Sequence, residues 1–205
     1  MILRTNKFLY VAISLALILL FTPKSFSNPI DEVPFNAEKN LYNFFVEIPA
    51  GSKEKWELDE GTGLLELEQR KGNNRIINFL PYPGNYGFIP QTLSGDGDPV
   101  DLIDLDETSQ RGNIKQVKIL GAMYFEDEGE VDYKFIGASP DGTFREFNSI
   151  EELLIERPNS LEILRIWFLF YKESEKMIFY RFIEREESID LLTKSHKRWV
   201  KGEIK

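Results

Sequence analysis

The stretch Gly95-Asp96-Gly97-Asp98-Pro99-Val100-Asp101 places three carboxylates within six residues, on a turn stiffened by Pro99 and loosened by two glycines. Carboxylates held that close raise one another's pKa unless a cation compensates. Hard divalent ions do this, because Mg²⁺ and Ca²⁺ take oxygen ligands from Asp and Glu. For the loop alone an ordinary solvated turn is an equal alternative, since Asp and Gly are common turn residues. An EF-hand is excluded although Glu107 lies eleven residues after Asp96. Its fifth position is Val100, its sixth is Asp101 where Gly is needed, and its flanks are strand-like. A second acidic run, Glu126-Asp127-Glu128-Gly129-Glu130-Val131-Asp132, ends in Tyr133-Lys134. By itself it reads as a solvated hairpin. If both acidic loops lie at adjacent strand ends of a small barrel, they converge on one mouth, where Lys55, Arg75, Lys134 and Lys172 suit a phosphate held by metals.

The elements that must position these groups are mostly short strands punctuated by Gly, Pro and Asn. Phe44–Ile48, Lys55–Leu58, Leu64–Glu68 and Arg75–Phe79 read as strands, with Lys71-Gly72-Asn73-Asn74 as a hairpin turn. Further strands are expected at Asp101–Leu105, Gln116–Phe125 and Asp132–Gly137, and helices at Ser149–Glu156, Ser160–Tyr171 and Ser188–Val200. A strand-rich front and a helix-bearing back make the class α+β, around a small antiparallel barrel or sandwich. Trp56, Trp167 and the Phe-rich segment after Trp167 read as core, and Tyr82, Tyr86 and Tyr171 have packing with a wet hydroxyl as their ordinary fate. His196, the single histidine, is expected on the surface of the last helix.

The 205 residues include 34 Asp and Glu against 25 Lys and Arg, for a formal charge of −9, and no Cys. This excludes disulfides, thiolate nucleophiles and cysteine-ligated metals. It also argues against nucleic acid, whose binding comes largely from Lys and Arg displacing counterions. Arg4 and Lys7 precede an apolar run, Phe8–Phe21, and Ser25-Phe26-Ser27 supplies small residues at the −3 and −1 positions of a cleavage site. The run falls short of the ~20 residues a membrane-spanning helix requires. Residues 1–27 are therefore expected to be a cleaved signal peptide, leaving 28–205 as one exported domain at formal −12, expected in the periplasm with no membrane anchor. If the signal is unused, the chain is cytoplasmic.

The stretch Tyr82-Pro83-Gly84-Asn85-Tyr86-Gly87-Phe88-Ile89-Pro90, followed by the Gly95–Asp101 loop, resembles the signature of the family I soluble inorganic pyrophosphatases, in an exported, bacterial-type form. The match extends from Glu47-Ile48-Pro49-Ala50 through Lys55-Trp56-Glu57 and Asp132-Tyr133-Lys134 to Tyr171-Lys172. The resemblance implies a five-stranded OB-like β-barrel with flanking helices, a homo-oligomer, and pyrophosphate as substrate. It implies that Asp96, Asp101 and Asp132 hold activating Mg²⁺ ions, that Asp127 binds a further ion, and that Asp98 takes the proton from the attacking water. Mn²⁺, Co²⁺ or Zn²⁺ are possible substitutes. Lys55, Tyr86, Tyr171 and Lys172 match the groups around pyrophosphate, Lys134 a lysine beside the metals, and Glu47 and Glu57 the supporting acids. An arginine ahead of the Tyr-Pro motif falls on Arg75, with Arg70 as the alternative.

The chemistry is consistent with the residues. Phosphoanhydride hydrolysis needs neutralised oxygens, a stabilised leaving phosphate and a partly deprotonated water, and metal coordination brings a water's pKa from 15.7 to about 7 without a histidine. Two other readings stand beside it: an exported OB-like module binding oligosaccharide or nucleic acid, and an altered relative acting on another phosphate compound.

Overall fold

The computed structural model describes residues 27–172 and 177–202; the expected signal segment thus lies almost wholly outside the described residues. A 3₁₀ turn at Pro29–Asp31 leads into β1 (Phe35–Asn36), β2 (Leu41–Ile48), β3 (Trp56–Asp59), β4 (Leu64–Leu67), β5 (Gln69–Arg70), β6 (Asn73–Asn74), β7 (Asn85–Ile89), β8 (Val100–Asp104), β9 (Ile114–Asp127) and β10 (Glu130–Ala138). Two helices follow, α1 (Ile150–Glu156) and α2 (Pro158–Phe170), then β11 (Met177–Ile183) and α3 (Arg185–Lys201). The main sheet runs β1-β2-β7-β8-β10-β9-β11, and β2 also pairs with β9. That last pairing closes β2, β7, β8, β10 and β9 into a five-stranded ring, an OB-like barrel without free edges between those strands.

Strand alternation then sorts the side chains. Val46, Ile89, Leu102, Val117 and Phe135, one from each ring strand, meet in one buried cluster that fills the ring, joined by Leu192 of α3. Facing the other way, Ile103, Met123 and Ile136 pack under Leu153 of α1 and Leu164, Trp167 and Phe168 of α2. Each such fully buried side chain contributes about 1.5–3 kcal/mol. The ring is tight where β2 meets β7: a Cβ on Gly87 would lie 2.0 Å from the Phe45 carbonyl oxygen, so only glycine fits beside Tyr86. Helix α1 is capped by Ser149 Oγ, which accepts from Glu152 N at 3.3 Å, and α3 ends on Gly202 at φ 65°.

Four expectations need correction. The barrel is not wholly antiparallel, because β8 and β10 pair in parallel, Leu102 opposite Phe135. Arg75–Phe79 is not a strand: it makes one isolated bridge, Ile76 to Glu54, and Pro81 and Pro83 interrupt any continuation. Of the four residues read as a turn, Asn73 and Asn74 are a strand and only Lys71-Gly72 turns. His196 is half-buried, its Nδ1 2.8 Å from the Gln91 carbonyl oxygen, and so ties α3 to the loop before β8.

Candidate active site

At one side of the barrel a cavity of about 550 Å³ gathers both acidic loops. The parallel register of β8 and β10 sets Asp101 beside Lys134, whose Nζ pairs with Asp101 and lies 2.9 Å from Asp132 Oδ1. Burial works against the charge on Lys134, yet Asp101, Tyr86 and Asp132 hold its pKa well above the usual lysine value. Burial raises Asp132, Lys134 opposing and Asp101 adding to it. β9 and β10 are joined by Glu128 and Gly129, both at positive φ, the two-residue turn that matches strand twist. This turn carries Asp127 to the cavity rim, where Lys172 Nζ pairs with its Oδ2. Asp127 Oδ1 is buried with no hydrogen-bond partner.

The loop before β8 is held by its own backbone. Ser94 N donates to Asp98 O at 2.7 Å, Asp98 N donates to Asp96 Oδ1 at 3.0 Å, and Gly97 takes φ 101°, which glycine adopts without strain. Asp98 makes no ion pair among the described residues; burial, and then Asp96, Asp101 and Glu57, push its pKa up. On the facing wall the β3–β4 register, Trp56 opposite Leu67, brings Lys55 next to Glu68. Lys55 pairs with Glu57 and, at 2.8 Å, with Glu68, which also takes Arg75 Nη1 at 2.8 Å. Glu47 Oε1 accepts from Leu58 N at 2.7 Å, and burial lifts its pKa to about 8 against that bond, with Asp101 and Glu57 adding to the rise.

The aromatic side is set by α2. Tyr171 caps the helix, its N–H donating to Trp167 O at 2.9 Å, and its ring stacks on Trp167 at 4.6 Å. Trp167 is fixed in turn by an indole N–H bond of 2.9 Å to Leu80 O. Burial keeps Tyr86 and Tyr171 protonated beyond the usual phenol range, so both remain donors.

Thirteen of the residues singled out above line this one cavity: Asp96, Asp98, Asp101, Asp127 and Asp132, Glu47 and Glu57, Lys55, Arg75, Lys134 and Lys172, and Tyr86 and Tyr171. Of the two arginines, Arg75 lines it and Arg70 lines a neighbouring cleft. Tyr82 sits behind the wall, packed on Tyr86 and Trp167. Trp56, read as core, also lines the cavity, its ring under the Arg111 guanidinium at 4.1 Å. Glu68 was missed; its signal is the hairpin register, which sets it across from Lys55.

Glu68 pairs with both Lys55 and Arg75. The remaining carboxylates exceed the lysines that serve them, and they are hard oxygen donors with no sulfur or imidazole among them. With Asp127 Oδ1 buried and bare, this set fits divalent cations of the Mg²⁺ kind. Among the described residues no three acidic side chains come close enough to hold an ion together; Lys134 lies between Asp101 and Asp132, and Lys172 pairs with Asp127.

A model of the inorganic pyrophosphatase family matches residues 44–200. The soluble inorganic pyrophosphatase of Oryza sativa subsp. indica is 36% identical over 156 residues, spanning 74% of this chain and 69% of the rice protein. The chain belongs to the inorganic pyrophosphatase family. Its fold superposes on the Schistosoma japonicum inorganic pyrophosphatase with a TM-score of 0.77 and 28% identity, covering 83% of this chain and 70% of that one. For the Trypanosoma cruzi vacuolar soluble pyrophosphatase, solved truncated and in complex with PPi, the values are 0.74, 26%, 83% and 71%. As a family I pyrophosphatase the chain is an inorganic diphosphatase, hydrolysing pyrophosphate to two phosphates, and the family is metal-dependent.

Proposed function

We propose that this pyrophosphatase works with several Mg²⁺ ions, Asp96, Asp101 and Asp132 being the ligands of the activating ones and Asp127 of a further one. Mn²⁺, Co²⁺ or Zn²⁺ would serve as substitutes. When bound, the ions neutralise phosphate oxygens and acidify the attacking water. Lys55, Arg75, Lys134 and Lys172, with the hydroxyls of Tyr86 and Tyr171, hold and orient pyrophosphate. Glu47 and Glu57 support the lysines and the acidic loop. Water oxygen bonds to one phosphorus as the bridging P–O bond breaks, the bond's electron pair leaves with the departing phosphate, and the water's proton passes to Asp98. The observation that supports the role of Asp98 is that it lies on the cavity wall and, among the described residues, makes no ion pair, whereas Asp101, Asp132 and Asp127 each pair with a lysine; Asp96, also unpaired, is assigned to the metal by its place in the same loop. The Trypanosoma cruzi relative, solved in complex with PPi, supports pyrophosphate as the ligand.

Asp98→Asn keeps size and polarity and removes the acceptor, so turnover should drop 10²–10⁴-fold with pyrophosphate binding largely kept. Near-normal turnover in that variant would remove the role.

The charged head, short apolar run and small-residue exit of residues 1–27 support an exported, bacterial-type member acting outside the cytoplasm. Intact-mass analysis of the native protein should find a chain starting near Asn28; a soluble cytoplasmic pool retaining Met1 would contradict export. A homo-oligomer is supported by Ile163, Ile166 and Phe170, a stripe at helical spacing that α2 leaves exposed. The acidic net charge supports pyrophosphate, carried with metal, rather than nucleic acid as partner.

A further inference from the structure

The loop that carries Asp96 and Asp98 is thinly supported. Gly95, Asp96 and Asp98 are exposed, and among the described residues a Cβ on Gly95 or Gly97 would meet no atom within 4 Å beyond its chain neighbours. Behind the loop, on the side of α3, lies a cavity of about 230 Å³ whose walls include Gly95, Leu191, Lys194 and Arg198. Side-chain packing therefore does little to fix where the two aspartates stand. The loop takes its position from hydrogen bonds at its base.

Those bonds come in two tiers. The hydroxyl of Thr92, a fully buried residue, donates to Ile89 O at 2.5 Å and accepts from Val100 N at 2.9 Å, which ties the end of β7 to the start of β8 and closes the neck of the loop. One residue on, Leu93 spends both its backbone groups on α3: its N–H donates to Ser195 O at 3.1 Å, and its carbonyl accepts from Arg198 Nε at 2.8 Å. Arg198 Nη2 donates to Ser195 Oγ at 3.0 Å, so the residue that receives Leu93 N also steers the guanidinium. The next residue is Ser94, whose N–H holds Asp98 O. The end of α3 is itself anchored, because Trp199 packs against Ile30, Phe45 and Phe88.

We infer that Arg198 is a positioning residue for hydrolysis, which through Leu93 and Ser94 sets where Asp96 and Asp98 stand over the cavity. Arg198 does not line that cavity and makes no ion pair among the described residues; both groups it meets are neutral, a carbonyl and a hydroxyl. A cation in the last turn of a helix also answers the helix dipole, but that requires only charge. The fork onto Leu93 O and Ser195 Oγ requires the planar guanidinium. A small displacement of a reacting group lowers turnover steeply even when its cause lies outside the site.

The inference rests on Asp96 as a metal ligand and Asp98 as the proton acceptor, and the test keeps the two apart. Arg198→Ala and Arg198→Lys are compared with Arg185→Ala, which removes the same kind of bond, Arg185 Nε to Ile119 O at 3.1 Å, from the other end of α3. The measurements are turnover with Mg²⁺, Mg²⁺ affinity of the substrate-free protein by calorimetry, and amide hydrogen exchange at Leu93, Ser94 and Asp98. In Arg198→Ala, kcat should fall about tenfold or more while KM for pyrophosphate stays within about threefold, since the groups assigned to the substrate lie on other elements. Mg²⁺ affinity should fall about threefold or more, and the three amides should exchange roughly tenfold faster. Arg198→Lys keeps the charge and loses the fork, so its kcat should fall about fivefold, and it carries the test if Arg198→Ala does not fold. Arg185→Ala should keep kcat and Mg²⁺ affinity within about twofold. Equal losses of kcat in Arg198→Ala and Arg185→Ala, or wild-type turnover and exchange in Arg198→Lys, would overturn the positioning role. If Asp98→Asn kept normal turnover, the role of Asp98 would fall instead. Mg²⁺ affinity and amide exchange would still decide whether Arg198 sets the loop.

Discussion

Asp101 and Asp104 stand three residues apart on β8 and point to opposite faces of it, and each pairs with a lysine, yet they belong to different kinds of polar cluster. Asp104 is fully buried inside one end of the ring, where Lys115 Nζ and Asn85 Nδ2, the latter at 3.0 Å, share its Oδ2 and Asp106 N approaches its Oδ1 at 3.4 Å. Burial raises its pKa and Lys115 and Asn85 pull it back. One acid meets one cation and one amide, and nothing is left over. At Asp101 a single lysine serves two aspartates, Asp98 makes no ion pair among the described residues, and Asp127 keeps a bare buried oxygen. The contrast shows that a matched buried pair is architecture, whereas a surplus of acid around a shared lysine is a demand for further positive charge.

Breaking each cluster in turn sharpens the contrast. Asp101→Asn should lower turnover about 10³-fold, equivalent to several kcal/mol of transition-state charge stabilisation, while the melting temperature of chelator-treated protein stays level or rises as repulsion is relieved. Paired thermal and kinetic assays check this; a large loss of stability would make Asp101 architectural. Asp104→Ala should do the reverse. It strands Lys115, and because that side chain is 20% exposed the loss should sit near the low end for a broken buried pair, about 3 kcal/mol by denaturant unfolding, with specific activity of the folded fraction within a few-fold.

A smaller effect is expected at Glu47, whose pKa rises from 4.5 to about 8. Because the folded state holds the proton more tightly than the unfolded one, the stabilisation is complete below pH 4.5 and is lost as pH rises through 8. Glu47→Gln keeps an acceptor for Leu58 N and carries no charge. It should match wild type at pH 4 and be more stable at pH 9 in metal-free protein. Unfolding curves at both pH values decide it, and a pH-independent difference would count against a buried carboxyl.

The sequence made the functional half of this contrast legible and hid the architectural half. The Gly95–Asp101 loop, the 126–132 acids and Tyr171-Lys172 are contiguous in sequence, so their chemistry shows without the fold. The ring closure between β2 and β9 and the parallel pairing of β8 with β10 are long-range events that leave no local pattern. Met177–Ile183 was not read as a strand, because Tyr180 and Arg181 are both exposed at the register shift and spoil its alternation. Asp104 and Lys115 look like ordinary surface residues in the sequence, and only burial pairs them. Glu68 needed the hairpin register, and the Arg75–Phe79 misreading came from apolar residues that pack without a ladder: Ile77 is buried beside the hairpin.

The central claim is that the surplus acids of the mouth exist to hold cations that reverse the local charge for a polyanionic substrate. Isothermal calorimetry of pyrophosphate, or a non-hydrolysable diphosphonate, into EDTA-treated protein tests it most directly. Without divalent ion the account predicts no measurable binding, and after restoring Mg²⁺ a clear saturable isotherm accompanied by a rise in melting temperature from the metal alone. Tight binding of pyrophosphate to the metal-free protein, unaltered by Mg²⁺, would contradict it.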